Sequence, residues 1–257
     1  MTDHPEKPKN IPKYIEENIV PISPRDHIRR RPGMYFGGID QRALHQTVKE
    51  LVDNAIDEAI SGSCNRIQVT LDDNYQITIN DNGRGIPVET YQDTGQSVLE
   101  LMLTKLNVRD FIRENKHPSA SLFGAGIAAV NAVSTTLIVY VRQDGFLWQQ
   151  SYQAGIKQTE VEQIRPLSEG ETTGTLITFQ PDFTIFQRNE FDYETLHHYL
   201  HELVFLVNGL TIILEDRRSS HPYRRAVFSY PDGILDFVKF LNHDRMYLHM
   251  PVIIRDT

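Results

Sequence analysis

Apolar residues recur at helical spacing along residues 41–60, which predicts a long amphipathic helix. Gly62 follows closely and is a suitable stop for that helix. Alternating apolar and polar residues then predict two short strands, at Arg66–Leu71 and at 75–80. The polar residues 72–74 between them are typical of a turn, so the two strands are expected to form a hairpin.

The remainder of the chain mixes helical and strand patterns. It lacks the regular strand–helix alternation of a doubly wound sheet, and it therefore predicts an α+β fold with helices on one face of a mostly antiparallel sheet. A flexible polar arm is expected at residues 1–12, and a mobile loop at 108–120. Further helices are predicted at 96–106, 124–134, 193–206 and 234–241, and further strands at 137–141, 146–152, 174–179 and 210–214.

Composition narrows the functional classes. The chain has 257 residues and a formal net charge of −8, so it lacks an overall basic footprint for nucleic acid. Strong DNA contacts, if the protein serves DNA, are expected on another domain or subunit. The single cysteine, Cys64, excludes an internal disulfide and fits a cytoplasmic location. No apolar run approaches the roughly 18 residues of a membrane helix, so no membrane association is expected.

Three polar residues of the first long helix carry the first candidate chemistry. Glu50, Asn54 and Asp57 lie at positions i, i+4 and i+7, so they share one face, opposite the apolar stripe. A solvated polar face is the simplest interpretation of such a stripe. The alternative is functional, because a carboxylate can activate water and an amide oxygen one turn away can bind Mg²⁺.

Three glycine-containing segments follow. Asp81 ends a predicted strand and begins the turn 81–87, where a carboxylate can accept a hydrogen bond from an exocyclic amine. The Gly-Ala-Gly segment 124–126 opens a predicted helix, and backbone N–H groups at such a place favour phosphate. Thr175 lies in a Thr-Gly-Thr segment that enters a strand. Each segment alone also fits an ordinary turn or helix start.

In this order, the four segments resemble the ATP-site motifs of the GHKL superfamily. The segments are ELVDNAIDEA at 50–59, DNGRGIP at 81–87, GAG at 124–126 and TGT at 173–175. Within the superfamily, RRRPGMYFGG at 29–38 and HQTVKELVDNAIDEAISG at 45–62 are similar to the B-type subunits of DNA gyrase and topoisomerase IV. The resemblance covers residues 14–242. It implies a Bergerat-type two-layer sandwich, with helices over a mostly antiparallel mixed sheet and ATP in a pocket above it.

The resemblance also assigns roles to individual residues. It implies that Glu50 is the general base, Asn54 the Mg²⁺ ligand and Asp81 the carboxylate that recognises the adenine amine. Thr175 is expected to hold the same adenine edge through a bound water, with Gly85 beside that water. Glu58 and Arg84 match a charged pair that flanks the adenine pocket. The other residues expected to bind the nucleotide are Asp57, Ile86, Pro87, Leu122, Gly124, Ala125, Gly126, Tyr14 and Ile19.

The resemblance further implies an assembly in which ATP and Mg²⁺ act as cofactors. Tyr14 and Ile19 match arm residues that reach the partner's nucleotide, so ATP-dependent homodimerisation is expected. An A-type cleavage subunit of gyrase is the expected partner, and DNA an indirect one. The expected division is an arm at 1–20, a GHKL ATPase domain at 21–242 and the start of a truncated or absent transducer domain at 243–257.

A second interpretation stays open from the sequence. Ala120, Ser121 and Phe123 replace two glycines and a histidine that are usual in the lid segment of gyrase subunits. Added side chains restrict the backbone and change how such a loop closes. The alternative is therefore a degenerate paralogue that binds nucleotide, or a partner subunit, and regulates without efficient turnover.

Overall fold

A computed structural model describes residues 22–106 and 126–243 of the chain. In that part of the chain, helices and strands are mixed along the sequence. The helices are α1 (Pro24–Arg30), α2 (Gly33–Phe36), α3 (Gln41–Ile60), α4 (Val98–Thr104), α5 (Gly126–Ala132), α6 (Tyr193–Leu203) and α7 (Ile234–Leu241). The strands are β1 (Arg66–Leu71), β2 (Ile77–Asp81), β3 (Ser134–Gln143), β4 (Phe146–Gln153), β5 (Ile156–Lys157), β6 (Glu162–Pro166), β7 (Gly174–Pro181), β8 (Thr211–Asp216) and β9 (Arg224–Ser229).

Helix α3 is the central helix of the fold, and its sequence explains both its start and its orientation. Asp40 caps the helix, because its side chain accepts a hydrogen bond from the backbone N–H of Ala43. The apolar stripe predicted from the sequence is buried, and Leu44, Val48 and Ile56 have no exposed surface. Burial of such a stripe supplies most of the stability of a helix in a folded protein.

The strands form one mixed sheet. Its order is β5-β4-β3-β7-β2-β1-β8-β9, and β6 pairs with β4 beyond this path. The neighbours β1 and β8 run parallel, whereas the other pairs of described strands are antiparallel. Strands β2 and β7 therefore lie side by side at the centre of the sheet, and the ends of these two strands carry Asp81 and Thr175.

The sheet has one apolar and one polar face. Ile77, Ile79 and Asp81 of β2 are buried, whereas the alternate residues Thr78 and Asn80 are only partly covered. On this second face the hydroxyl oxygens of Thr78 and Thr178 lie 3.1 Å apart and form a hydrogen bond. Helix α3 packs on β1 and β2 from the apolar side, and α6 packs on β8. The predicted α+β arrangement of helices over a mostly antiparallel sheet is confirmed.

Several predicted boundaries were wrong by a few residues. Strand β2 begins at Ile77 rather than at residue 75, because Asn74 and Tyr75 have left-handed backbone angles (φ of 57° and 61°) and form a short 3₁₀ turn. The hairpin itself is confirmed by the antiparallel pairing of β1 with β2. Helix α4 starts only after Ser97, whose side chain caps it, and ends before Lys105, which has an extended backbone.

Other elements did not follow from the sequence. The short helices α1 and α2 and the strands β5, β6 and β9 had no predicted counterpart. Strand β6 is exposed along its whole length, so it lacks the half-buried alternation that identifies a strand. The described residues contain no helix long and apolar enough to cross a membrane. The boundaries proposed at residues 20 and 242 stay predictions.

Candidate nucleotide site

Glu50 lies in the interior of the protein, although its helical face was expected to be opposite the apolar stripe. The residue is 1% exposed. Gln46, one turn earlier on α3, donates a hydrogen bond from Nε2 to Glu50 Oε1 over 3.0 Å. The backbone N–H of Gly126, at the start of α5, donates to Glu50 Oε2 over 3.2 Å. A buried carboxylate with these two fixed donors is not a member of a solvated face, so the functional interpretation is favoured.

The next turns of α3 continue the polar stripe. Asn54, Asp57 and Glu58 are all half-buried. Asp53, beside Asn54, accepts a hydrogen bond from the hydroxyl of Tyr199 on α6 over 2.9 Å. Burial, reinforced by the neighbouring charges of Glu50 and Asp57, raises the pKa of Asp53 to about 6, although the Tyr199 hydrogen bond opposes the shift. Helix α3 thus concentrates carboxylate charge along one side.

Asp81 is the second buried carboxylate of the site and lies at the end of β2. It is 4% exposed. Its Oδ1 accepts hydrogen bonds from the backbone N–H groups of Gly83 (2.8 Å) and Thr175 (3.1 Å). Burial raises the pKa of Asp81, and the two amide hydrogen bonds oppose that shift. Both amides fix the carboxylate in one orientation.

The turn after Asp81 connects it to helix α3. Arg84 donates from Nε and Nη2 to the two carboxylate oxygens of Glu58, over 3.0 and 2.8 Å, in a forked ion pair. A Cβ atom on Gly83 would lie 3.0 Å from Asp81 Oδ1 and 3.1 Å from Glu58 Cβ. Glycine at 83 therefore allows the turn to pass between the Asp81 carboxylate and the stem of the Glu58 side chain.

Gly85 and its neighbours close the turn against β3 and β7. Gly85 has a left-handed φ of +85°, and a Cβ there would lie 2.9 Å from Val141 Cγ1. Ile86 is buried, and its N–H donates to Thr175 Oγ1 over 3.2 Å. Pro87, which follows, is half-buried. Thr175 is thus linked to Asp81 by its backbone and to Ile86 by its hydroxyl.

The described residues form two polar centres joined by one helix. Glu50 and Gly126 belong to the first centre, and Glu58 joins Asp81, Arg84 and Thr175 in the second. Glu50 and Glu58 are eight positions apart on α3, which corresponds to about 12 Å at the helical rise. A ligand lying along α3 can therefore reach both centres, each of which holds a buried carboxylate.

Some expected site residues lie outside the described part of the chain. They are Tyr14, Ile19, Leu122, Gly124 and Ala125. The lid substitutions Ala120, Ser121 and Phe123 lie outside it as well. The structure also brings in residues that the sequence did not single out for the site, namely Gln46, Arg142 and Gly174. The position of Gln46, four residues before Glu50, was the available signal for its contact.

A sequence profile described as "Histidine kinase-, DNA gyrase B-, and HSP90-like ATPase" matches residues 39–185, more than half of the chain. The chain belongs to this family. The match includes α3, the turn after β2, the start of α5 and Thr175, so both polar centres fall inside it. Membership of this ATPase family implies that the chain binds a nucleotide.

Individual relatives point to one branch of the family. The chain is 42% identical over 246 residues to the DNA gyrase B protein of Haloferax volcanii and 40% identical to that of Thermotoga maritima. Each alignment covers 95% of this chain but 38% of the relative. The fold matches the 43K ATPase domain of Thermus thermophilus gyrase B, solved with an aminocoumarin. That match has a TM-score of 0.78 at 31% identity and covers 91% of this chain and 59% of the Thermus chain.

Proposed function

We propose that this chain is the ATP-binding and ATP-hydrolysing module of a type II DNA topoisomerase. The observation that carries the proposal is the pair of buried carboxylates, Glu50 and Asp81, held at opposite ends of one site by fixed backbone N–H donors. Similarity to gyrase B proteins over 95% of the chain supports this branch of the family. The chain covers only 38% of the length of that relative. The topoisomerase activity of a whole protein is therefore proposed for this chain and does not follow from the similarity alone.

Asp81 is proposed to recognise adenine. Its Oδ1 is occupied by the amides of Gly83 and Thr175, so Oδ2 is the oxygen we assign to the exocyclic amine of the base. A carboxylate only accepts hydrogen bonds, and therefore it favours the amine of adenine over the carbonyl oxygen at the same place in guanine. We assign Thr175, together with Gly85, to a water that holds the same edge. Ile86 and Pro87 line the base.

Glu50 is proposed to activate the water that attacks the γ-phosphate. A carboxylate within hydrogen-bond reach of that water takes its proton as the bond to phosphorus forms. Its two donors, Gln46 and Gly126, orient the carboxylate before substrate arrives. The phosphates are assigned to the backbone of the Gly124–Gly126 segment, of which Gly126 is described.

Asn54 is proposed to bind Mg²⁺, one turn from Glu50. Within residues 22–106 and 126–243, no group of three or more His, Cys, Asp or Glu side chains is arranged to hold a metal ion. In nucleotide sites Mg²⁺ takes one or two protein oxygens and completes its shell with phosphates and water, so a single amide ligand is sufficient. When bound, the ion would neutralise charge on the phosphates. Asp57, further along the same face, is assigned to the site's polar wall.

The assembly around this module is also a proposal. Homodimerisation would depend on ATP and use the arm residues Tyr14 and Ile19, which lie outside the described part of the chain. An A-type cleavage subunit would complete the enzyme, with DNA bound chiefly elsewhere. Light scattering with and without a non-hydrolysable ATP analogue tests this, and a tight dimer without nucleotide would contradict it.

The most informative binding experiment compares ATP with GTP in the parent protein and in Asp81→Asn. We expect ATP to be preferred by the parent and weakened by about ten- to a hundredfold in the variant, because a buried acceptor loses its charge. The matched control is Asp93→Asn, a change of the same chemistry at an exposed position, and it should bind like the parent. Equal ATP affinity in parent and Asp81→Asn would reject the proposed base recognition.

A further inference from the structure

Arg142 of β3 reaches across a neighbouring strand to the backbone of Asp81. Its Nη2 donates to the carbonyl oxygen of Asp81 over 2.7 Å and to Asn80 Oδ1 over 2.8 Å. Its Nε donates to the carbonyl oxygen of Thr172 over 3.0 Å. One guanidinium thus connects the end of β2 to the segment just before β7.

Gly174 makes this crossing possible. Strand β7 lies between β2 and β3, and Gly174 pairs with Arg142 in the register of β3 and β7. A Cβ atom at 174 would lie 2.6 Å from Arg142 Nη2 and 2.1 Å from the carbonyl oxygen of Asp81. The absence of a side chain at 174 therefore opens the path that the guanidinium occupies. The close approach of Arg142 and Asp81 thus explains why glycine occupies position 174 of the Thr-Gly-Thr segment. The sequence alone did not indicate this contact.

The two strand ends that Arg142 joins are the ones that carry the site. Thr172 lies three residues before Thr175, whose N–H and hydroxyl contact Asp81 and Ile86. Arg142 is half-buried, so the hydrogen bonds of its guanidinium are poorly replaced by water. Arg142 therefore restrains both residues that we assign to adenine.

The charge of Arg142 also acts on the Asp81 carboxylate. Burial raises the pKa of Asp81 and the nearby negative charge of Glu58 adds to the shift, whereas the positive charge of Arg142 opposes it. The thiol of Cys64 also lies near this carboxylate, and burial raises the pKa of that thiol to about 11, so it is neutral. Among the described charged neighbours, Arg142 and Glu58 thus act on Asp81 in opposite directions.

We propose that Arg142 is a positioning residue for adenine recognition, which clamps the ends of β2 and β7 and so holds the Asp81 carboxylate in place. The inference rests on the proposed function, since it assigns Arg142 a role through Asp81. It predicts an effect on affinity for ATP that depends on Asp81 and on pH. A residue that only stabilises the fold would show neither dependence.

The test measures ATP affinity by equilibrium titration in the parent, in Asp81→Asn and in the two single variants Arg142→Met and Arg142→Lys. Each Arg142 variant is also measured in combination with Asp81→Asn. Arg225→Met is the matched control. Like Arg142, Arg225 lies on a strand and makes a side-chain hydrogen bond, in its case to the carboxylate of Glu215, but it lies on β9 at the far edge of the sheet. Thermal unfolding of every variant establishes that it is folded. The ratio of parent to variant affinity is followed from pH 5 to pH 8, so that titration of the nucleotide itself cancels.

We expect Arg142→Met to weaken ATP about tenfold at neutral pH, and more as the pH falls, because the uncompensated Asp81 carboxylate takes up its proton at a higher pH. Arg142→Lys keeps the positive charge but cannot make all of the hydrogen bonds of the guanidinium. Its loss of ATP affinity should therefore be nearly independent of pH. In the Asp81→Asn background, Arg142→Met should have less than about a twofold further effect. Arg225→Met should bind like the parent.

The outcomes separate this inference from the proposed function. If Asp81→Asn leaves ATP affinity unchanged, the proposed base recognition itself fails. If Asp81→Asn weakens ATP but Arg142→Met does not, only the role of Arg142 is overturned. The role of Arg142 would also be overturned if Arg142→Met lowered ATP affinity equally in the parent and in the Asp81→Asn background. Equal losses would show that the substitution acts on the fold and not through Asp81. If Arg142→Met does not fold, Arg142→Lys provides the test. An Arg142→Lys variant that binds ATP as tightly as the parent would then overturn the role of Arg142.

Discussion

Gln46 donates a hydrogen bond from Nε2 to Oε1 of Glu50 over 3.0 Å, and both residues lie on one face of helix α3. The amide group is neutral and does not titrate, so the contact orients the carboxylate without exchanging a proton with it. Glu50 is 1% exposed, and few alternative donors from solvent can replace this one. One of the two donors that orient the proposed base therefore comes from its own helix, and the other is the N–H of Gly126 on α5.

Removal of this donor should slow hydrolysis more than it affects binding. We expect Gln46→Leu to lower kcat for ATP by roughly tenfold, because a misaligned base acts less well on the attacking water, while the affinity for ATP stays within a factor of about two. Steady-state phosphate release and equilibrium titration measure the two quantities. Gln41→Leu, at the start of the same helix, is the control, since Gln41 donates to Glu190 and not to the site. A parent-like kcat in Gln46→Leu would exclude the positioning role.

The close approach at Gly174 predicts a large loss of stability. Gly174→Ala places a Cβ atom 2.1 Å from the Asp81 carbonyl oxygen, at a backbone φ of +143°. We expect it to lower the free energy of unfolding by about 2–4 kcal/mol. Gly145→Ala is the matched control, because Gly145 also has a positive φ (+78°) but no atom within 4 Å of a built Cβ. It should cost only about 1 kcal/mol. Urea titrations measure the free energy of unfolding of both variants. Equal losses of stability in Gly174→Ala and Gly145→Ala would contradict the proposed crowding at Gly174.

Asp53 predicts a stability difference that depends on pH. Its folded-state pKa of about 6 lies above the ordinary 3.8, so ionisation is unfavourable in the folded protein. The stability that the protonated group contributes is present below pH 4 and is lost as the pH rises through 6. Asp53→Asn should therefore exceed the parent in unfolding free energy by about 1–3 kcal/mol at pH 7, and by much less at pH 4. Its amide oxygen can still accept the hydrogen bond of Tyr199.

Denaturant titrations at several pH values give this comparison directly. Asp93→Asn, at an exposed position, serves as control and should show no such trend. A constant difference between Asp53→Asn and the parent from pH 4 to pH 7 would show that the charge of Asp53 is not the cause.

The fold was largely predictable wherever one face of an element is buried. Helix α3 follows its predicted bounds, since Asp40 caps it and its apolar stripe is continuous. Strand β6 could not be predicted, because all of its residues are exposed and only its pairing with β4 makes it a strand. Strand β2 was misplaced by two residues because the left-handed angles of Asn74 and Tyr75 follow from the turn and not from alternation.

Candidate site residues could be proposed from the sequence where they lie close together along the chain. Glu50 and Asp81 were proposed through a family resemblance, whereas the spacing of Glu50 alone left a solvated face as the alternative. Arg142 could not be placed from the sequence, because its contact with Asp81 spans 61 positions and crosses an intervening strand. Such a contact depends on strand order, which a local pattern does not contain.

Glu50 as the general base is the central claim, and its removal is the most direct test. Phosphate release from Mg·ATP is measured for the parent and for Glu50→Ala, with ATP affinity measured on the same samples. General-base help is typically worth roughly 10²–10⁴ in rate, so we expect release to fall by that factor or below detection while affinity stays nearly unchanged. A parent protein that binds Mg·ATP but releases no phosphate would support the degenerate, regulatory alternative. Release at the parent rate in Glu50→Ala would contradict the assignment of Glu50 as the base.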